Sequence, residues 1–271
     1  MNNEIKKLII VVLTTIFSLA IHAMAPITVD ITEDMLSVVA SKLTFIGTAT
    51  LFFLVTYYII ASVFLKYESR LQGSKLNRAL IFGGLVGGIW WVGMLEAVFA
   101  LNSTYINEFI LGLLDFLPIV LLCVLVAVFL VKEERHEHRS ASVNSSVMID
   151  VGIFTLIITV GRFFRYVSNV GGYSVDSMTP LMLWTIAFAL IIGLNFAFLK
   201  SAAISVSVIK SALIFTLILF GLHYTMFVIF IPLVFKGMLF DLTMVLLYDL
   251  FLVFVASTVC FMAMKKRGKR L

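Results

Sequence analysis

The sequence alternates between long apolar runs and short polar connections. Eight of the runs approach or exceed the length of about 20 helical residues that crosses a bilayer. They lack the period-two alternation of barrel strands, and only a helix satisfies its own backbone hydrogen bonds in hydrocarbon. The pattern therefore predicts an all-α polytopic membrane protein with eight transmembrane helices. The predicted spans are Leu8–Met24, Leu43–Leu65, Ala79–Leu101, Phe109–Val131, Met148–Val167, Pro180–Leu199, Val208–Phe235 and Phe240–Met264.

The composition narrows the class of protein further. Of 271 residues, 62% are apolar and 13% charged, whereas soluble domains have roughly 45–50% and about 25%. The basic residues lie beside apolar runs rather than in a basic domain, so we expect the lipid bilayer as a partner and no nucleic acid. Cys123 and Cys260 both lie inside apolar segments, which favours neither a disulfide nor a thiolate metal site. We predict no cofactor and no metal.

The basic residues also predict an orientation. Of 20 Lys and Arg residues, 16 fall on one side when the N-terminus is inside, and the opposite connections hold only Lys42 and Lys236. Because positively charged loops stay cytoplasmic, we expect a multi-pass protein of the plasma or inner membrane with both termini cytoplasmic. The segment ending at Ala23-Met24-Ala25 also resembles a secretory signal peptide. Pro26 follows directly and disfavours cleavage, so we expect the first helix to be retained.

The two halves of the chain share an internal repeat. Chance would explain one match between apolar segments, but the matches recur in order at nearly one offset. Phe64-Leu65-Lys66 recurs 134 positions later, Ala79-Leu80-Ile81-Phe82 recurs 133 positions later, Gly88 falls on Gly221, Trp90-Trp91 falls on His223-Tyr224, and Asp115 falls on Asp249. We predict two parallel four-helix repeats, 1–134 and 148–271, joined by a cytoplasmic linker, 135–147. Their pseudo-twofold axis would follow the membrane normal.

Each half resembles small four-helix bacterial membrane proteins of unknown function, in which a Gly-rich third helix precedes a fourth helix with an acid near its start. The matching residues are Gly83, Gly84, Gly87 and Gly88 with Asp115 in the first half, and Gly221 with Asp249 in the second. The resemblance covers the third and fourth helices of each half. It implies a helical membrane fold and no particular activity.

Seven ionisable residues fall inside the predicted spans, where each costs roughly +2.5 to +3.5 kcal/mol on insertion scales. All seven lie in the outer half of the bilayer or near its middle. They are His22, Glu96, Asp115, Arg162, Arg165, His223 and Asp249. Such residues need a partner, water or a function, so we take all of them except His22 as candidate ligand-binding residues.

The pairing of these residues is open from sequence. Arg162 and Arg165 are three positions apart and share a helix face, so they would bind a carboxylate or phosphate, pair with Glu96 and Asp115, or reach the outer headgroups. The repeat places Asp115 and Asp249 on opposite walls of a central interface, as a functional pair. His223 is either a buried hydrogen-bonded histidine or a ligand contact.

Three further patterns have a structural and a functional interpretation. Gly83-x-x-x-Gly87 and Gly84-x-x-x-Gly88 form small-residue ridges that favour close helix packing. Trp90 and Trp91 either fill the core or form a stacking platform. The motif His136-x-His138 would chelate a metal, but in a loop of mixed charge we expect a solvated segment.

No catalytic motif of an ATPase, serine hydrolase, zinc protease or c-type cytochrome occurs in the sequence. We therefore expect a membrane protein that binds or transports a small solute, anionic or zwitterionic, in a polar cavity of the outer half. The first alternative is an intramembrane enzyme for lipid-linked substrates, with Glu96, Asp115, Asp249 and His223 as acid–base groups. The second is a non-catalytic accessory or sensor subunit that binds a membrane-protein partner.

Overall fold

The computed structural model describes residues 2–25, 32–100, 103–132, 145–170 and 178–267. Eight of its helices are long and apolar enough to cross a membrane, which confirms the predicted number of spans. Most of the predicted linker 135–147, and with it His136-x-His138, lies outside the described residues. The helices are α1 (Asn3–Ala23), α2 (Val38–Tyr67), α3 (Lys75–Met94), α4 (Tyr105–Leu130), α5 (Ser145–Val167), α6 (Met178–Ala203), α7 (Val208–Val234) and α8 (Leu239–Lys266).

Consecutive helices run in opposite directions, so the bundle has two distinct ends. The start of α1 meets the end of α2, where Lys7 Nζ donates to Ser62 Oγ at 3.3 Å. We call this end, which carries the start of α1 and the end of α8, the terminal end. The opposite end, with the α1–α2, α3–α4, α5–α6 and α7–α8 connections, is the loop end.

Helices α2, α3, α6 and α7 form the centre of the bundle. Helix α2 packs against α7 and α3 packs against α6, while α1 packs with α4 on one side and α5 with α8 on the other. At the loop end, the two halves are also tied together by backbone. Ser37 N donates to Val234 O at 2.8 Å, and Lys236 N donates to Met35 O at 3.1 Å.

Helix α2 begins earlier than its apolar run predicted. The Ser37 side chain accepts from Ala40 N at 3.1 Å and caps a first turn that starts at Val38. The helix is then interrupted at Thr44, with φ 64° and ψ 161°. Thr44 Oγ1 accepts from Gly47 N at 3.2 Å and acts as a second N-cap. The predicted start at Leu43 therefore marks the second part of the helix.

Of the two predicted glycine ridges of α3, the one formed by Gly83 and Gly87 packs closely against α4. A Cβ added at Gly83 would lie 3.1 Å from Val120 Cα, and one added at Gly87 would lie 3.2 Å from the Phe116 carbonyl oxygen. Both glycines therefore let α3 and α4 approach backbone to backbone. Gly88 faces α6 instead, and an added Cβ at Gly84 would meet nothing within 4 Å.

Helix α7 is irregular near its middle. Ile214–Phe220 forms a π-helical segment between two α-helical parts, and such segments carry one extra residue per turn. A Cβ at Gly221 would lie 2.3 Å from the Thr216 carbonyl oxygen. Glycine is therefore the residue that fits where the π segment ends, two positions before His223.

Candidate functional site

Arg162 and Asp249 form a fully buried, two-pronged ion pair between α5 and α8. Arg162 Nε donates to Asp249 Oδ1 at 3.1 Å and Arg162 Nη2 donates to Oδ2 at 2.6 Å. The Tyr224 hydroxyl of α7 donates to the same Oδ2 at 2.6 Å and accepts from Arg162 Nη2 at 3.2 Å. Three helices of the second half thus meet at one carboxylate.

Glu96 links this pair to the end of α3. Arg165 Nη2 donates to Glu96 Oε1 at 2.9 Å. Each arginine also lies 3.6 Å from the other's main partner, Arg162 from Glu96 Oε2 and Arg165 from Asp249 Oδ2. We call Glu96, Arg162, Arg165 and Asp249 the arginine cluster. Two guanidinium groups balance two carboxylates, so the cluster carries no net charge.

Two aromatic rings of α6 pack against the Arg162 guanidinium. The Arg162 guanidinium lies 4.4 Å from the Phe188 ring centroid and 5.0 Å from that of Trp184, both on α6. The Trp184 indole is fixed by donating to the Val92 carbonyl at 2.8 Å. Such cation–π contacts add to the stability of a buried cation. Both arginines have 0% exposure, which excludes their extension to the headgroups.

The predicted partners of the arginines are therefore correct for Glu96 and wrong for Asp115. Arg162 pairs with Asp249 instead of Asp115, and Asp115 pairs with a residue of another helix. The predicted functional pair of Asp115 and Asp249 is not observed, because each carboxylate has its own basic partner. Pairing, rather than an exposed guanidinium face, is the state of both arginines in this structure.

Asp115 lies against His22 at the loop end, between α4 and α1. Asp115 Oδ1 is 3.3 Å from His22 Nε2. His22 Nδ1 lies 2.8 Å from the Ser18 carbonyl oxygen, which only accepts, so Nδ1 carries a hydrogen. Nε2 therefore meets Asp115 either as the N–H of an imidazolium facing a carboxylate or as a bare nitrogen facing a carboxylic acid. In both forms the pair holds one labile proton.

Glu108 gives this region a second buried carboxyl group. It precedes Asp115 by seven residues, or two turns, on the same face of α4, which is about 10 Å along the helix axis. Glu108 is 5% exposed. Glu108 Oε2 makes no hydrogen bond to any described group. We call His22, Glu108 and Asp115 the histidine cluster.

The two clusters differ in charge balance. The arginine cluster has as many cations as anions, whereas the histidine cluster has two carboxyl groups and one imidazole. With both acids ionised and His22 protonated, the histidine cluster carries one net negative charge. A buried charge without a partner is costly, so this cluster favours a bound proton or the positively charged group of a ligand.

His223 belongs to neither cluster. It is 3% exposed on α7, and neither ring nitrogen makes a hydrogen bond of good geometry to a described group, although the Leu219 carbonyl lies nearby. His223 is therefore buried, as one of its two interpretations predicts, and the choice between a hydrogen-bonded histidine and a ligand contact stays a prediction. Among the residues that the structure describes, no group of three His, Cys, Asp or Glu side chains is arranged to hold a metal ion.

Sequence reasoning missed one member of these clusters, Glu108, and two tyrosines beside them. Glu108 precedes the predicted span Phe109–Val131 by one residue, whereas the helix begins at Tyr105. Tyr224 stood out only as the repeat mate of Trp91. Tyr57 on α2 had no signal at all; its hydroxyl donates to Ser18 Oγ at 2.9 Å, beside the His22 contact. A tyrosine inside an apolar run resembles core filling unless its hydroxyl partner is known.

Comparison of the chain with protein-family models, with curated proteins and with solved structures gives no match. The functional argument therefore depends on the geometry of the two clusters.

Proposed function

We propose that this integral membrane protein binds a small zwitterionic solute at the loop end and carries it across the cell membrane. The positively charged group of the solute would bind between Asp115 and Glu108. This retains the solute-binding function expected from sequence and moves the binding site from the arginines to the histidine cluster.

The uneven charge of the histidine cluster is the observation that carries this proposal. Glu108 Oε2 is buried without a hydrogen bond, and the labile proton between His22 and Asp115 is replaceable by an ammonium group. The arginines contribute little direct binding energy, since both are already paired with carboxylates. Their role in the proposal is to hold α3, α5 and α8 together beside the site.

The contacts between helices support the proposed repeat. Helix α1 packs with α4 as α5 packs with α8, and α2 packs with α7 as α6 packs with α3. This pattern of contacts is the one that two parallel four-helix repeats would produce, with α3 and α7 meeting near the axis. The distribution of basic residues, which is independent of these contacts, supports a loop end outside the cell and both termini in the cytoplasm.

Ligand-induced thermal stabilisation tests the proposal. Purified protein in detergent is melted with glycine, with ethanolamine or with inorganic phosphate. A ligand that binds only the folded state raises the melting temperature. We expect glycine or ethanolamine to raise it and phosphate to have no effect.

Variants locate the effect. Glu108→Gln should abolish the stabilisation by the amine, whereas Glu33→Gln, which neutralises an exposed acid at the same end, should preserve it. Stabilisation by phosphate alone, unaffected by Glu108→Gln, would instead support an anion site at the arginines.

The arginine cluster, whose charges pair with one another, favours a second candidate function, that of an accessory or sensor subunit. In such a protein, buried ion pairs hold helices together and no solute binds. Absence of stabilisation by any of the three probes, with Glu108→Gln less stable than the parent, would support it. The enzyme hypothesis gains nothing from the geometry. Its proposed acids Glu96 and Asp249 are held by arginines, and His223 lies apart from both.

A further inference from the structure

Three buried polar side chains near the middle of the bundle make no hydrogen bond of good geometry to any described group. His223 on α7 is 3% exposed, Thr56 on α2 is 0% and Trp90 on α3 is 2%. The two ring nitrogens of His223, Thr56 Oγ1 and Trp90 Nε1 make no hydrogen bond to any described group. Because a buried polar group without a partner is destabilising, groups of this kind point to a bound molecule.

Ring contacts join α2, α3 and α7 around Trp90, and Thr56 and His223 each lie one turn from a ring that contacts it. The Trp90 ring centroid lies 6.3 Å from that of Phe52 on α2 and 5.4 Å from that of Phe227 on α7. Thr56 follows Phe52 by one turn, and His223 precedes Phe227 by one turn. Since α2 and α7 run in opposite directions, Thr56 and His223 both lie on the terminal-end side of the phenylalanine rings. We call His223, Thr56 and Trp90 the central junction.

The irregularity of α7 separates the central junction from the arginine cluster. Tyr224 reaches Asp249 on α8, whereas Phe227, on the same face as His223, lies against Trp90. His223 therefore faces α2 and α3, away from the buried charges. The π segment ends at Phe220, directly before this turn, and its extra residue resets which face of α7 each following side chain occupies.

The proposed internal repeat would give the central junction a symmetry. At the offset of 133 positions, Trp90 falls on His223, and Trp90 contacts α7 one turn from His223. Under the proposed repeat, each half would contribute one N–H-bearing ring to the junction.

We propose that the central junction binds a small uncharged molecule that both donates and accepts hydrogen bonds. The Trp90 indole only donates, while the Thr56 hydroxyl and a neutral His223 imidazole each donate and accept. The rings that contact Trp90 at the junction belong to Phe52 and Phe227, and neither supplies a counter-ion for a charged ligand. A carboxamide or hydroxyl group between aromatic rings satisfies these donors and acceptors. The assignment goes beyond the charged solute of the histidine cluster and does not depend on it.

Hydrogen–deuterium exchange at the imidazole C2 position tests this assignment in the unmodified chain. This hydrogen exchanges measurably only where solvent reaches the ring, and mass spectrometry resolves individual histidines. We expect His223 to exchange measurably, because a polar junction holds water when no other ligand is present. Its exchange should be more than tenfold slower than that of His22, since the reaction proceeds through the imidazolium and His22 faces a carboxylate. Acetamide, an uncharged amide, should slow exchange at His223 and leave His22 unchanged.

Two variants localise the acetamide effect. Thr56→Val removes one hydrogen-bonding group at nearly constant shape and should abolish the slowing by acetamide. Thr258→Val removes another hydroxyl without a partner, on α8, and should preserve it. A His223 that fails to exchange in the folded protein would mean a dry junction and would overturn the proposal. Exchange that acetamide does not slow would overturn the assignment of a ligand other than water. Neither result bears on amine binding at the histidine cluster.

Discussion

The cost of a buried charge decides the role of each arginine. Removing one partner of a buried ion pair destabilises a protein by about 3–5 kcal/mol, since the other charge is left uncompensated. Arg162→Gln would leave Asp249 facing only Tyr224 and the more distant Arg165. We therefore expect Arg162→Gln to lower the free energy of unfolding in detergent by about 3–5 kcal/mol.

The double variant Arg162→Gln/Asp249→Asn removes both charges and should recover much of this loss. Arg267→Gln, at an exposed arginine beyond the end of α8, should change the free energy of unfolding little. A double variant as unstable as Arg162→Gln alone would show that Asp249 is not the relevant partner.

At the residue scale, the sequence predicted which side chains are buried and charged but not all of their partners. Counted from the outer ends of the predicted spans, Arg162 is level with Glu96 and Asp115, and Asp249 is deeper in the membrane. Side chains on a helix lean toward its N-terminus, which is the terminal end for α5 and the loop end for α8. Arg162 and Asp249 therefore lean toward each other and close the difference in depth. Which helices adjoin is a tertiary property, and no local pattern in this sequence contained it.

Close packing of α3 against α4 gives a prediction at the scale of the element. Gly87→Ala would place a Cβ 2.9 Å from the Phe116 ring and 3.2 Å from the Phe116 carbonyl oxygen. We expect it to lower the free energy of unfolding by about 1–3 kcal/mol, the usual cost of overpacking. Denaturation followed by circular dichroism measures this change.

Gly84→Ala is the matched control on the same helix, because its Cβ would meet nothing within 4 Å. Alanine is the better helix former by about 1 kcal/mol, so this variant should be neutral or stabilising. Equal destabilisation by both substitutions would mean that α3 and α4 do not pack through the Gly87 face.

Elements whose signal is apolar length were predictable, and those that depend on local backbone geometry were not. Eight apolar runs gave eight helices because the bilayer imposes both length and composition. The π segment Ile214–Phe220 lies inside a uniform run, where only Gly221 departs from the pattern. The interruption at Thr44 was hidden likewise, since threonine is common inside transmembrane helices and its positive φ has no sequence signature.

At the scale of the whole molecule, the orientation predicts which ends are accessible from outside. In a background that lacks Cys123 and Cys260, Glu33→Cys at the loop end should react with an impermeant maleimide on intact cells. Gln72→Cys at the terminal end should react only after permeabilisation. Both positions are exposed, so reactivity depends on the side of the membrane. The reverse labelling pattern would overturn the orientation.

The central claim is that the arginine cluster is balanced in charge and the histidine cluster is not. Melting temperatures measured without any ligand test this claim most directly. Glu108→Gln removes a buried carboxylate that lacks a full set of partners, and residues kept for binding are commonly suboptimal for stability. Asp249→Asn leaves the arginines unbalanced. The account predicts that Glu108→Gln melts at a higher temperature than the parent protein and that Asp249→Asn melts at a lower one. A lower melting temperature for both variants would contradict it, because both clusters would then serve only to hold the bundle together.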